Sequence, residues 1–146
     1  MVGKMVEKNS NVNMELTGEV AQPSYQLTFP LVGGKITFEV SAAKGETLTN
    51  DNAKEGIWLF LNKYCYPAYY GDVVVFGNTE KNAESYASNS EWMQNIKQFS
   101  LDYKDKNGKR VTRTIAITGE LRSDLSSSWK EVGVVKINTN GEPVKT

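Results

Sequence analysis

Two alternating runs joined by glycines constrain this chain most. They form the stretch Tyr25–Val40, YQLTFPLVGGKITFEV. Tyr25, Leu27, Phe29 and Leu31 share one parity, and Ile36, Phe38 and Val40 share one parity after Gly33-Gly34. A period of two puts successive side chains on opposite faces, so each run can bury one face and wet the other. Glycine tolerates the positive φ angles of a tight reversal, so the pair predicts the turn of a β-hairpin.

The same reading carried along the chain predicts strands with little helix. The run IWLFL at 57–61 is continuously apolar, as a strand buried on both faces would be. DVVVF at 72–76 is a further strand, and YCYPAYYGD at 64–72 is an aromatic loop in which Pro67 marks an edge or a turn. FSLDYKD (99–105) and KRVTRTIAIT (109–118) flank Asn107-Gly108, the strongest two-residue signal for a type I′ hairpin. Thr112, Thr114 and Thr118 take the opposite face from Val111, Ile115 and Ile117. EVGVVKIN (131–138) is the last strand, and its shift of apolar parity between Val134 and Val135 predicts a bulge near Gly133. The polar segments 42–56, 77–91 and 119–130 read as loops. One short helix is expected from Ser90 as N-cap, with Trp92, Met93 and Ile96 on one side.

These elements predict an all-β protein, an immunoglobulin-like β-sandwich of about seven strands with at most one short helix. Its core is expected to hold Leu27, Phe29, Ile36, Phe38, Val40, Trp58, Phe60, Val74, Phe76, Leu101, Tyr103, Ile115, Ile117, Val134 and Ile137. At 146 residues the chain suits one domain, placed at 23–140, with an N-terminal extended arm at 1–22 and a polar tail at 141–146. Val12, Met14 and Leu16 alternate within the arm, which either stays flexible or docks on a neighbouring molecule.

Chemistry is thin. The chain has no histidine, which removes the commonest general base and the commonest metal ligand. The single cysteine, Cys65, has no partner for an internal disulfide and lies among aromatics, so a small buried residue is expected rather than a nucleophile. No carboxylate pair shows an acid/base spacing, and no glycine-rich phosphate loop precedes a helix. Asp102, Asp105 and Asn107 before Gly108 have the wrong spacing for a calcium loop and are better explained by the hairpin. A non-enzymatic protein with no metal and no cofactor is expected.

Lysine plus arginine and aspartate plus glutamate both number 17, so the formal charge is zero and nucleic acid is not an expected partner. Lys104, Lys106, Lys109, Arg110 and Arg113 fall on a hairpin and read as a solvated rim. The longest apolar runs, Ile57–Leu61 and Val73–Phe76, fall far below the ~20 residues that span a bilayer. The start, MVGKMVEKNSNVNME, lacks the apolar core of a signal peptide, so synthesis and retention in the cytosol are expected, or assembly into a particle there.

One cluster suggests binding. Tyr64, Tyr66, Tyr69 and Tyr70 crowd around Pro67, near Trp58. Such rings can fill one end of a sandwich, anchor a protein interface or stack on sugar. Together with Val12, Met14 and Leu16, they are the candidate partner-binding residues.

Residues 25–41, 111–118 and 131–138 resemble BACON-type immunoglobulin-like domains. The resemblance rests on Leu27-Thr28-Phe29, Gly33-Gly34, the alternating Ile36–Val40 and the arginine-led strand Arg113–Thr118. The chain departs from the family in two places: the family usually closes on a Val-Thr-Gln-like strand where this chain has Ile137-Asn138-Thr139, and the middle, about 42–98, is longer than the family's. Members occur in exported glycan-handling proteins of gut bacteria and in virion proteins of their phages. With no signal peptide seen, the resemblance implies a phage capsid decoration or auxiliary protein, present in many copies on a particle and acting through protein contacts. The alternative it implies is a carbohydrate-binding module of a surface or secreted protein, with glycan as partner.

Overall fold

Among the described residues seven strands and three helices form, and the strands are not all those expected: 57–61 is helical and 67–70 is a strand. A computed structural model of the protein describes residues 24–31, 34–118 and 133–144. The strands are β1 (Tyr25–Leu31), β2 (Gly34–Ser41), β3 (Pro67–Tyr70), β4 (Val73–Phe76), β5 (Gln98–Lys104), β6 (Arg110–Ile117) and β7 (Val134–Asn138). The helices are α1 (Asn50–Tyr64), α2 (Glu80–Ser88) and α3 (Ser90–Asn95). The expected all-β immunoglobulin-like sandwich with one short helix is therefore wrong. Both sheets are mixed, and α1 alone runs for 15 residues.

One sheet has the order β1-β2-β7, with β1 antiparallel and β7 parallel to β2. The other has the order β3-β4-β6-β5, with β4 and β6 parallel and the outer pairs antiparallel. The alternating first hairpin folds in the expected register, with Leu27 opposite Phe38 and Phe29 opposite Ile36. The ladder closes at Leu31 opposite Gly34, so Gly34 belongs to β2. Gly33 itself lies outside the described residues, as do the arm with Val12, Met14 and Leu16 and the serine-rich 119–130 segment.

The run IWLFL is the centre of α1, not a strand. Ala53, Gly56, Ile57, Phe60 and Leu61 are buried, the i, i+3, i+4 pattern of a helix face. Thr49 caps the start by accepting from the Asn52 amide, Asp51 lies in the first turn and Lys63 in the last. Trp58 is half-buried at the edge of the stripe with its ring against Phe76, and Leu59 is exposed. The polar 77–91 segment is likewise largely helical. Thr79 caps α2, whose buried residues are Ala83 and Ala87. For α3 the cap is Asn89 rather than Ser90, with its side chain accepting from the Trp92 amide.

The hairpin between β5 and β6 also differs in detail. Gly108 donates to the Asp105 carbonyl, and the Asp105 amide donates to Lys109. Only Gly108 has positive φ, +81°, so a type I turn followed by a left-handed residue makes a three-residue loop, in place of the two-residue type I′ turn. The Asp105 carboxylate accepts from the amides of Asn107 and Lys109, a local bond that competes with the tighter turn. Near Gly133 the expected bulge is absent from β7, whose ladder runs without interruption from Val134, and Val135 and Ile137 take the buried parity.

Two cores result. The larger lies between the sheets and α1: Phe29, Phe38 and Val40 meet Ile57, Phe60 and Leu61 from the helix and Phe76, Leu101, Ile115 and Ile117 from the second sheet. Edge-on ring pairs tie it together, Phe29 to Phe99 at 4.8 Å and Phe38 to Phe60 at 5.9 Å between centroids. The smaller lies on the opposite face of the second sheet, where Ala68, Val75 and Ala116 meet Ala83, Ala87, Met93 and Ile96. Cys65 is fully buried, as expected. Of the expected core, Trp58, Leu27 and Val134 are only half-buried, and Arg113 leaves the solvated rim to lie over the Trp58 ring at 4.6 Å.

The chain beyond β7 turns back along it. Pro143 bridges to Ile137, and the Val144 amide donates to the Lys136 carbonyl. This turn sits against α1 so closely that a Cβ on Gly141 would come within 2.7 Å of the Phe60 nitrogen. Glycine is needed there for space as well as for its φ of +79°. No helix among the described residues is long and apolar enough to cross a membrane.

Candidate functional site: an aromatic sheet edge

The route from α1 into β3 creates the surface of interest. The Cys65 amide still donates to the Leu61 carbonyl and ends the helix. Tyr66 then takes φ +34°, unusual for a bulky residue, and Pro67 forbids any return to helix. Pro67 opens β3, which is an edge strand, so its missing N–H takes nothing from the ladder.

β3 and β4 are joined by Gly71 and Asp72, with Tyr70 opposite Val73. Alternation then sorts the strand. Ala68 and Tyr70 share the parity of Val73 and Val75 and face α2 and α3, while Tyr69 shares the parity of Val74. Ala68 is buried under α2, but Tyr70 is 46% and Tyr69 70% exposed. Tyr66 and Trp92 are also exposed, and Trp92 leans on Tyr86 with centroids 4.7 Å apart.

Two open recesses flank Tyr70. One, of about 540 Å³, lies over Ala68 and is walled by Glu84, Ala87 and Ser88 of α2. The other, of about 490 Å³, runs beneath α3 past Met93 and Ile96 to Lys97 and Gln98. The first exists because Ala68 on the sheet and Ala87 on α2 leave room beside the tyrosine.

The structure thus brings Tyr66, Tyr69 and Tyr70 to the surface of one edge and separates Tyr64 from them. Tyr64 is half-buried at the end of α1, its ring 5.2 Å from that of Phe60. The sequence reading did not single out Glu84, Ser88 and Trp92 as binding residues. The signal that places the first two is the Thr79 cap followed by Ala83 and Ala87 four apart, which marks a helix with a narrow buried stripe.

The other sheet edges are blunted. β7 is covered by the returning 142–144 segment, and β1 carries Pro30 within the strand. On β5 there are Asp102 and Lys104, and the Asp102 carbonyl accepts from Lys54 Nζ at 3.3 Å. β3 has no charged residue, and no strand among the described residues pairs with its outer side. No group of three or more His, Cys, Asp or Glu side chains that could hold a metal occurs among the described residues.

Comparison with protein-family models, curated proteins and solved structures finds no match. The site therefore stands on its own geometry. What that geometry offers is apolar ring area, open backbone polar groups and a few rim hydroxyl and carboxylate groups, which suits binding.

Proposed function

We propose that this protein is a non-enzymatic structural protein that acts through protein–protein contacts, with the β3 edge as its attachment surface. One observation carries the reading: β3, an edge strand with no charged residue and no strand on its outer side among the described residues, displays the largely exposed rings of Tyr69 and Tyr70. Tyrosine is enriched at interfaces because its ring gives large apolar contact at low entropy cost while its hydroxyl keeps a polar partner. Exposed rings of this kind become anchors when a partner removes them from water. In the setting that the resemblance of the first hairpin implies, the partner is a capsid or other virion protein and the role is decoration.

A Tyr69→Ala/Tyr70→Ala double variant tests this. Both side chains are largely in water, so the melting temperature should stay within about 2 °C of the parent, as for surface substitutions generally. Co-sedimentation with the particle or partner from the native source should be lost. Parent-like assembly by the folded variant overturns the reading. Parent-like assembly together with lost binding on a glycan array supports a carbohydrate-binding module instead.

A further inference from the structure

We infer that the partner at this edge is a second copy of the chain, joined by antiparallel pairing of the two β3 strands about a twofold axis at Tyr69. The inference rests on the protein-binding reading of the edge and names its occupant.

The backbone comes first. Tyr70 opposite Val73 across a two-residue connection is a hydrogen-bonded pair, so Tyr70 and Ala68 direct their amides and carbonyls inward to β4. The groups left pointing outward are the Tyr69 N–H and C=O, with the Pro67 carbonyl and the Gly71 N–H on either side. A twofold axis at Tyr69 satisfies them with one another. Each Tyr69 amide donates to the other copy's Tyr69 carbonyl. Each Gly71 amide donates to the other copy's Pro67 carbonyl. Pro67 has no N–H to offer, and in this register the acceptor it leaves unmet is a turn carbonyl open to water.

Side chains follow the same symmetry. With Tyr69 on the axis, Ala68 of one copy stands opposite Tyr70 of the second copy, on the face toward α2. That face carries the recess of about 540 Å³ over Ala68. The ring of one copy's Tyr70 thus enters the hole beside the other's Ala68, where Glu84 and Ser88 can accept or exchange a hydrogen bond with its hydroxyl. On the opposite face the two Tyr69 rings lie side by side. A twofold interface requires a patch that complements itself, and here knob and hole are two residues apart on one strand.

Charge and area agree with this occupant. Equal numbers of basic and acidic residues leave no net repulsion between copies. At exposures of 70% and 46%, and about 150–250 Å² per aromatic side chain, the rings of both copies remove roughly 500 Å² from water. A stable interface buries about 1,200 Å² or more in total, so the strand backbone and α2 rim must supply the remainder and the dimer is weak. It forms on concentration, or where many copies are held together.

Disulfide trapping reads the register. Hydrogen-bonded antiparallel partners have Cα atoms about 5.5 Å apart, within the disulfide range. Tyr69→Cys should therefore give a disulfide-linked dimer under mild oxidation, with Cys65 buried and out of reach. Tyr70→Cys alone should remain monomeric, because its opposite number is Ala68. Sedimentation of the unmodified protein should shift from monomer toward dimer with concentration, and Tyr70→Ala should abolish the shift. Equal trapping by the two cysteine variants overturns the inference, as does an unmodified protein that stays monomeric at the highest concentration reached. If that occurs while Tyr69→Ala/Tyr70→Ala still loses assembly, the edge binds a different protein: self-pairing falls and the attachment function stands.

Discussion

The two faces of the β3-β4-β6-β5 sheet are built from different materials. Toward α1 and the first sheet it presents Phe76, Leu101, Ile115 and Ile117, and the space is filled by interlocking large side chains. Toward α2 and α3 it presents Ala68, Val75 and Ala116 against Ala83 and Ala87, and the helices approach closely on small ones. Large residues make a core that resists truncation. Small residues make a thin layer that resists enlargement, and at its border they leave the recess over Ala68 beside Tyr70. The stable face and the binding edge are thus two outcomes of one alternating strand pattern.

The sharpest way to break this contrast is to shrink the large face. Phe76 is fully buried, with its ring 5.8 Å from that of Trp58, so Phe76→Ala should cost about 3–5 kcal/mol of unfolding free energy by denaturant titration. A denaturant midpoint equal to the parent's would mean that the face is not close-packed. Next is enlargement of the small face. Ala116 is fully buried beneath α2 and α3, and Ala116→Leu should cost about 1–3 kcal/mol by overpacking. A stabilised variant would show that the alanine layer contains usable space.

The smallest effect lies at the rim of the large face. Burial raises the Glu55 carboxyl above 4.5, Lys106 opposes this, and Asp105 and Glu46 add to it. A raised folded-state value means that the group favours folding below its unfolded value and that this contribution is lost as pH rises through the folded one. Glu55→Gln should therefore raise the melting temperature slightly at pH 7, and the gain should vanish below pH 4.5. A variant less stable than the parent at pH 7 would mean that attraction to Lys106 outweighs burial.

What the sequence made legible follows the same division. Period-two alternation with bulky residues revealed β1, β2, β5 and β6, and nearly all of the expected large core is buried. The short helix from Ser90 was legible, but α1 and α2 hid because small residues make up part or all of their buried stripes. Ala53 and Gly56 continue the Ile57, Phe60, Leu61 stripe of α1 through a stretch that looks polar, so IWLFL looked like an isolated strand. In α2 the stripe is Ala83 and Ala87 alone. The candidate site was legible as a tyrosine cluster around Pro67. Its division was not, because only the end of α1 decides that Tyr64 packs inward on Phe60 while Tyr69 and Tyr70 leave on β3.

The parallel pairing of β2 with β7 has a consequence for how the molecule comes to exist. Thr37 meets Val134, and the turn after β7 seats on Gly56 of α1. Contacts so distant in sequence form late, after the loop between them has closed. As the chain emerges from the ribosome, the first hairpin, α1 and the β4–β6 sheet can meet while the inner edge of β2 still has no strand beside it. An open β edge is the usual template for misassembly, and domains in this state are the ones that aggregate or recruit chaperones. A chain stalled or clipped before Gly133 is therefore not a smaller version of this protein but a different hazard, since residues 134–144 close the sheet and also latch the helix.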